Sequence, residues 1–279
     1  MKTAEESRFA FGENWRSFLE TLDDQRIDQA TKSLASLLRL DSVSQPLAGK
    51  TFLDVGCGSG LFSLAATRLG ATVTSIDYDP QCVACTGELR ERFGAGGPTW
   101  YVRQGSVLDE AMMESLGGFD VVYSWGVLHH TGEMNRAIHN AAGRVNAAGH
   151  LAVAIYNDQG GASRRWHWIK RTYNRLPSVL RPAWVVLIAG FYECKFAAAR
   201  ALRAKSPLPF ADWRAKKADR GMSVWHDWVD WIGGLPFEVA KPEDIAIPLI
   251  DQGFRLINLK TVGNGWGCNE YVFRQAGDS

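Results

Sequence analysis

Three alternating glycines directly after a short apolar run constrain the fold of this chain more than any other feature. Residues 51–55 form the run, and Gly56, Gly58 and Gly60 follow it. A run of this length is typical of a strand buried inside a parallel sheet. Glycines let the chain turn tightly and let a ligand approach the backbone. Residues 61–69 then show helical spacing of apolar side chains, so the loop opens a helix whose first amide groups can bind a polar group.

An acidic residue ends the next apolar run. Residues 71–76 form this run, and Asp77 follows it. In dinucleotide-binding folds a carboxylate at this place accepts hydrogen bonds from ribose hydroxyl groups. A nicotinamide site prefers Gly-x-Gly-x-x-Gly, but Leu61 stands where the third glycine of that pattern would be. We therefore expect a cofactor that contains a ribose, and the spacing disfavours a nicotinamide oxidoreductase.

The stretch from residue 54 to residue 60 resembles motif I of the class I S-adenosylmethionine (SAM) methyltransferases, Asp-x-Gly-x-Gly-x-Gly. All four motif positions match, at Asp54, Gly56, Gly58 and Gly60. Residues 100–109, 119–130 and 149–156 look like the third, fourth and fifth strands of that family with their exit loops. The likeness also extends broadly to methyltransferases of the ubiquinone-biosynthesis type, but only in the cofactor domain, so it does not identify the substrate.

The resemblance implies SAM as the cofactor and gives roles to individual residues. The glycine loop faces the methionine part, Asp77 holds the ribose hydroxyls and Tyr78 lies against the adenine. Ser106 stands where the family often has an Asp that binds the adenine amino group, which is a departure, although the Val107 amide can still contact the ring. The implied cofactor-binding residues are Asp54, Gly56, Gly58, Gly60, Asp77, Tyr78, Ser106, Val107, Ser124 and Trp125, of which the last two border the methyl group.

Two adjacent histidines follow the fourth predicted strand, close to the expected methyl group. Methyl transfer from a sulfonium is an in-line displacement in which alignment supplies much of the rate, and the acceptor can also need to lose a proton. A histidine suits this role because it titrates near neutral pH. We predict His130, and after it His129, as catalytic residues, with a purely structural role for both as the alternative. Cys82 and Cys85 lack further ligands at suitable spacing, so we predict no metal site.

The alternation of strand and helix patterns predicts an α/β fold. We expect a doubly wound, mostly parallel, seven-stranded Rossmann-like sheet with an antiparallel last strand. An N-terminal helical lid precedes it and a helical cap is inserted after the fifth strand. The predicted domains are the lid at 1–48, the SAM-binding core at 49–157, the cap at 158–241 and the closing part of the core sheet at 242–279. Phe9, Phe11 and Trp15 either close the lid or simply pack its helices.

The predicted cap is strongly basic. Residues 158–220 hold 14 Lys or Arg and four acidic residues, a net charge of +10, whereas the whole chain carries +1 and the remainder therefore −9. Such a surface can face an anionic substrate, a membrane or RNA, or it can be a solvated face that complements the acidic core. The uncharged run 182–192 is too short to span a bilayer, which leaves a buried cap helix or a helix lying on a membrane surface.

Tryptophans recur at helical spacing near the end of the cap. Trp225, Trp228 and Trp231 lie at i, i+3 and i+6, so they can share one helical face. They either pack the cap or form a pocket wall with aromatic surfaces for the acceptor. The predicted substrate residues are Asn157, Trp225, His226, Asp227 and Trp228, and His226 or Asp227 is also an alternative base.

These features predict a SAM-dependent methyltransferase that acts on a small-molecule acceptor with an anionic or aromatic part. The alternatives are an RNA or protein methyltransferase that uses the basic insertion, and a SAM-binding scaffold without turnover. No recognised RNA-binding module is present, so we do not expect a nucleic acid partner. Peripheral membrane contact stays open, and the sequence does not predict the oligomeric state. Five scattered cysteines and the lack of an apolar N-terminal signal favour a cytoplasmic location.

Overall fold

The computed structural model describes residues 22–40, 44–94, 97–202, 224–263 and 265–277. The predicted lid aromatics Phe9, Phe11 and Trp15 lie outside these ranges.

One seven-stranded sheet forms the centre of the described structure, in the spatial order β3-β2-β1-β4-β5-β7-β6. Its strands are β1 (Thr51–Val55), β2 (Thr72–Asp77), β3 (Trp100–Gln104), β4 (Phe119–Trp125), β5 (Val145–Tyr156), β6 (Phe254–Lys260) and β7 (Cys268–Gln275). The first five run parallel, and β7 runs antiparallel to both β5 and β6. The predicted fold class, including the antiparallel last strand, is confirmed.

Helices cover both faces of this sheet, as a doubly wound fold requires. They are α1 (Asp24–Leu37), α2 (Leu61–Arg68), α3 (Pro80–Phe93), α4 (Glu110–Ser115), α5 (Met134–Ala142) and α9 (Pro242–Asp251). One apolar cluster joins the sheet to α1, α2 and α3 through side chains such as Leu34, Leu64 and Leu89. A second cluster joins the opposite face to α4, α5 and α9 through Ile138 and Leu249.

The strand β5 begins earlier than the sequence pattern indicates. The pattern places its start at Gly149, but Val145 already pairs with Phe119 of β4. The register then shifts before Val121 pairs with His150, and Ala148 adopts a positive φ of 61°. A bulge therefore interrupts the strand, and the polar and glycine residues around it hide the first pairs from a search for apolar runs.

In the described residues 160–202 and 224–235, the inserted helices form a compact unit of their own, distinct from the unit that contains the sheet. This cap unit contains α6 (Gly161–Arg175), a 3₁₀ turn (Ser178–Leu180), α7 (Arg181–Leu202) and α8 (Val224–Gly233). The chain returns to the sheet unit at Pro236. The domain boundaries drawn from the sequence at 48, 157 and 241 remain predictions.

Aromatic rings pack the cap unit. The Trp166 ring stacks on Tyr192 with centroids 5.0 Å apart and meets Trp231 edge to face at 5.5 Å. The Lys170 side chain is buried, its Nζ donates to the Trp231 carbonyl, and it lies 5.2 Å from the centre of the Trp231 ring. Among the helices described, none is long and apolar enough to cross a membrane.

Candidate functional site

The glycine loop after β1 is fastened to the end of β2. The backbone amides of Gly56 and Cys57 donate to the Ile76 carbonyl at 2.8 and 3.1 Å. Gly56 has a φ of 79°, in the left-handed region that favours glycine, and a Cβ there would clash with Val127 in the loop after β4. The loops after β1 and β4 therefore touch where the strand order reverses, which is the place where open α/β sheets bind ligands.

The Asp77 carboxylate lies against the glycine loop. Its Oδ2 accepts from the Gly58 amide at 3.0 Å, and its Oδ1 accepts from the Asp79 amide at 2.9 Å. Burial raises the pKa of Asp77, and the two amides partly offset this effect. Each carboxylate oxygen can accept more than one hydrogen bond, so the group keeps capacity for ribose hydroxyls. The next residue, Tyr78, is 46% exposed, and the ribose and adenine roles of both remain predictions.

A chain of buried hydrogen bonds runs beneath the loop. Ser63 Oγ donates to Asp54 Oδ2 at 2.5 Å, and it lies 2.7 Å from Ser75 Oγ. Trp100 Nε1 donates to Ser75 Oγ at 2.7 Å. Burial raises the pKa of Asp54 to about 7, although the Ser63 hydroxyl lowers it in part. The Asp54 carboxyl thus points into the interior under the glycine loop, and its contribution to cofactor binding remains a prediction.

The loop after β3 and the last two residues of β4 hold the other predicted cofactor residues. Ser106 Oγ accepts from the Leu108 amide at 3.2 Å, and the Val107 carbonyl accepts from Asn140 Nδ2 at 2.8 Å. Ser124 is buried and its Oγ donates to the Val55 carbonyl at 2.8 Å, which ties β4 to β1. Trp125 is 44% exposed. These contacts are all within the protein, so the cofactor roles of Ser106, Val107, Ser124 and Trp125 remain predictions.

The two histidines lie on a 3₁₀ turn, Leu128–His130, just after β4, and their rings are held differently. His130 Nδ1 lies 2.7 Å from the Pro236 carbonyl oxygen. A carbonyl only accepts, so Nδ1 carries the hydrogen and Nε2 is the acceptor of the neutral ring. His129 is buried, and its Nδ1 accepts from the Tyr156 amide at 3.4 Å, so its neutral ring carries hydrogen on Nε2. Of the two, His130 has the tautomer of a base that acts through Nε2.

An aromatic side chain that the sequence did not single out lies against these histidines, and a second one packs on the first. The Tyr156 ring, at the end of β5, lies 4.0 Å from His129 and 5.4 Å from His130 between centroids. Phe237 lies 5.6 Å from Tyr156. Tyr156 ends the predicted fifth strand, which is a signal that position alone could have supplied. Phe237 gives no such signal, because it is about a hundred residues away in the chain from the histidines.

The segment Pro236–Ala240 fastens the end of the insertion to this region. The Glu238 amide donates to the His129 carbonyl at 3.0 Å, and the Glu238 carboxylate accepts from the Met134 amide at the start of α5 at 3.1 Å. Burial raises the pKa of Glu238. The Ala240 amide donates to the Tyr156 carbonyl at 3.0 Å. The carbonyl that orients His130 therefore belongs to a segment held at several points.

The predicted substrate residues belong to both units of the chain. Asn157 joins the end of β5 to the glycine-rich turn, since its Nδ2 donates to the Gly263 carbonyl at 2.8 Å and its Oδ1 accepts from Asn269 at 3.0 Å. In the cap unit Trp225 is 44% exposed, whereas Trp228 is 7% exposed and donates through Nε1 to Glu193 at 3.4 Å. The side chains of His226 and Asp227 lie outside the described part of the chain. The substrate roles of all five remain predictions.

Cysteines and acidic residues add no metal centre to the described ranges, where no group of three or more possible ligands could hold an ion. The five cysteines are free thiols, and Cys82 and Cys85 are buried on α3.

Comparison with known proteins identifies the family. The profile described as "Methyltransferase domain" matches residues 23–184, more than half of the chain. The chain belongs to this methyltransferase domain family, which confirms its resemblance to the class I SAM-dependent methyltransferases. The cofactor of that class is SAM, as the sequence motif implied.

Curated relatives match over the same region. The ubiquinone biosynthesis O-methyltransferase of Xanthomonas oryzae pv. oryzae (strain PXO99A) is 33% identical over 122 residues, which is 43% of this chain and 49% of the relative. That of Caulobacter vibrioides is 29% identical over 128 residues, 45% of this chain and 48% of the relative. The chain thus spans about half the length of the curated relatives it matches.

Solved structures share the fold at low identity. The magnesium protoporphyrin IX methyltransferase of Synechocystis PCC 6803 with bound SAH is 17% identical, with a TM-score of 0.51, over 90% of this chain and 83% of that one. The [4+2]-cyclase SpnF is 13% identical, with the same TM-score of 0.51, over 90% and 81%. Because one neighbour is a methyltransferase and the other a cyclase, the shared fold does not by itself fix the reaction.

Proposed function

We propose that this chain transfers a methyl group from SAM to a small-molecule acceptor that has an anionic or aromatic part. The contact between the loops after β1 and β4, with Asp77 bonded to the Gly58 amide, carries the proposal. In this arrangement a carboxylate suited to bind ribose hydroxyls lies beside backbone amides at the switch point of the sheet, which supports the proposal. The names of the curated relatives, which are O-methyltransferases, support a small molecule with a hydroxyl acceptor.

In this proposal the glycine loop and Asp77 hold the cofactor, and His130 removes the acceptor proton. The bond from His130 Nδ1 to the Pro236 carbonyl fixes the ring so that Nε2 can accept that proton. Tyr156, next to the histidines, provides aromatic surface for the acceptor, and the buried Phe237 ring packs against Tyr156. The SAM sulfonium supplies the methyl group and a good leaving group. The protein therefore has to align the acceptor and receive one proton.

Cofactor binding is tested by titrating the protein calorimetrically with S-adenosylhomocysteine (SAH) and, separately, with NADH. We expect SAH alone to bind. In Asp77→Ala the affinity for SAH should fall at least about tenfold, because a hydrogen bond to a charged group contributes about 1.5 kcal/mol or more. Asp79→Ala is the matched control, since Asp79 is an acid two residues away whose Oδ1 caps α3 through the Gln81 amide. Equal loss in both variants, or unchanged affinity in Asp77→Ala, would contradict the cofactor role of Asp77.

The base is tested with His130→Asn. The asparagine amide can still donate to the Pro236 carbonyl, but it cannot accept a proton. With acceptors found by SAH release, kcat should fall by about a hundredfold or more while SAH affinity is kept. With His130 as the base, wild-type kcat should decline as pH falls and the base becomes protonated, and this decline should be absent in His130→Asn. His139→Asn, at an exposed position on α5, is the control. Loss of SAH binding in His130→Asn would instead indicate a structural role, and normal turnover would place the base elsewhere.

A further inference from the structure

One face of α6 combines exposed arginines with an exposed tryptophan. Arg164, Trp168, Arg171 and Arg175 recur at i, i+4, i+7 and i+11, so they share one side of the helix, and all four are exposed. Trp168 is 59% exposed. The opposite side of α6 is buried inside the cap unit, where it carries Trp166, Ile169 and Tyr173. The exposed side is thus a basic stripe with an aromatic residue in it.

The next helix, α7, exposes large apolar side chains to solvent. Leu187 and Phe191 are 61% and 64% exposed, and they follow Trp184 at i+3 and i+7. The opposite side of α7 is buried through Val185 and Tyr192. The Trp168 and Trp184 rings meet edge to face at 5.6 Å, which joins the stripe of α6 to the exposed side of α7. We call this joint surface the hairpin face. It consists of Arg164, Trp168, Arg171 and Arg175 on α6 and of Trp184, Leu187 and Phe191 on α7.

The turn between the two helices extends the apolar part of this surface. Val179 and Leu180 are 81% and 50% exposed. Apolar side chains this large, clustered in 13 residues of chain from Val179 to Phe191, are more than the scattered exposed apolar residues of an ordinary surface. Exposed apolar side chains grouped in this way indicate a binding surface.

The charge of α6, α7 and the turn between them indicates what the hairpin face binds. Between residues 160 and 202 the sequence has a single acidic residue, Glu193, which accepts a hydrogen bond from Trp228. Arginines beside exposed leucine, phenylalanine and tryptophan match an anionic bilayer, whose phosphates attract the basic groups and whose interfacial layer takes the apolar ones. RNA would pair with the arginines but would leave Val179, Leu187 and Phe191 in water. Since α7 cannot cross a membrane, it would lie on the surface.

We propose that the hairpin face docks on an anionic lipid bilayer. Leu187 and Phe191 enter the interfacial layer, and Arg171 and Arg175 lie at the level of the lipid phosphates. The proposal goes beyond the function proposed above, because it does not depend on the acceptor or on turnover.

Co-sedimentation of the full chain with lipid vesicles tests this proposal. We expect binding to vesicles of phosphatidylcholine with phosphatidylglycerol, much weaker binding to phosphatidylcholine alone, and weakening by salt. The double variant Leu187→Gln/Phe191→Gln should bind at least about tenfold more weakly. Arg171→Gln and Arg175→Gln should each lose about fivefold, on the anionic vesicles only.

Two exposed residues of the sheet unit provide matched controls. Ile247→Gln replaces an apolar residue that is 57% exposed on α9, and Arg255→Gln replaces an exposed arginine on β6. Both should bind vesicles like the wild type, and every variant should keep wild-type SAH affinity as a check on folding. A failure of SAH binding in the wild type would contradict the proposed function, but vesicle binding by the wild type would still support docking of the hairpin face.

Several outcomes would overturn the proposal. One is equal binding to neutral and anionic vesicles, or no binding at all. Another is a wild-type dimer in sedimentation velocity that Leu187→Gln/Phe191→Gln converts to a monomer, because a second copy then covers the face. A third is binding to single-stranded RNA that Arg171→Gln abolishes, without binding to vesicles.

Discussion

At the scale of single residues, two aspartates of the central strands have pKa values that are shifted in opposite directions. Asp54 is buried, and burial raises its pKa to about 7 from an ordinary value of 3.8. For Asp120 partial burial acts in the same sense, but hydrogen bonds from the Thr51 amide and hydroxyl and the pairing with Lys50 outweigh it and lower the pKa. The two groups should therefore contribute to stability in different ranges of pH.

Asp54→Asn should change how stability depends on pH between about 4 and 7. In the wild type the unfolded chain releases this proton near pH 3.8 and the folded chain near 7, so the group lowers the free energy of unfolding as pH rises through that window. The asparagine does not titrate. The stability of the variant relative to wild type should therefore rise with pH, by up to about 1.4 kcal/mol per unit, and then level off above 7. Urea unfolding at pH 5, 6, 7 and 8 measures this difference.

Asp120→Asn is the comparison of opposite sign. The lowered pKa of Asp120 stabilises the fold at pH values above the pKa of the unfolded chain, and this stabilisation is lost as pH falls through the pKa of the folded chain. The slope of the unfolding free energy against pH should therefore differ between Asp120→Asn and wild type only below about pH 4.

For Asp54→Asn, pH profiles parallel to those of wild type between pH 5 and 7 would contradict the prediction, because they would show that the Asp54 carboxyl ionises normally in the folded protein.

At the scale of elements, α8 separates the two interpretations of the tryptophan repeat. Trp228 is buried against Tyr192, with ring centroids 6.2 Å apart, while Trp225 is exposed. Trp228→Ala should destabilise the cap unit by about 3–5 kcal/mol, because it leaves a large cavity. Trp225→Ala should stay within about 0.5 kcal/mol of wild type. Thermal unfolding of both variants makes the comparison.

The same pair of variants tests the predicted pocket wall. If Trp225 contacts the acceptor, Trp225→Ala should raise KM without loss of stability. An equal loss of stability in both variants would contradict the different burial of the two side chains, and a Trp228→Ala protein as stable as wild type would contradict its packing role.

Elements built from one continuous stretch of sequence were predictable. The glycine loop, the acid that ends β2 and the histidines after β4 each follow an apolar run, and parallel strands bring such positions to one edge of a sheet. The partner of His130 was not predictable, because it is the backbone carbonyl of Pro236 and any residue could supply a carbonyl. Ser63 and Ser75 were missed for another reason, because serines look like surface positions until their buried partners are known. Ser63 is bonded to the Asp54 carboxyl, and Ser75 to Ser63 and Trp100.

At the scale of the whole molecule, the order of strands and helices followed from the sequence, whereas the function of the insertion did not. The length and charge of the insertion indicated a separate helical body, and the described residues 160–202 and 224–235 form one. Which of its side chains are exposed depends on how its helices pack, three of which lie in the described residues. A helix that is largely apolar around its circumference, such as α7, gives no periodic signal for this.

The two ends of the insertion are adjacent in space. The Asp158 amide donates to the Ala240 carbonyl at 3.0 Å, and Asn157 and Ala240 form a parallel bridge. An insertion whose ends meet can be exchanged with little strain on its host. Evolution could therefore replace residues 160–235 as a cassette and leave intact both the glycine loop and the carbonyl that orients His130. A designer could follow the same route by joining a foreign cap at Gln159 and Pro236.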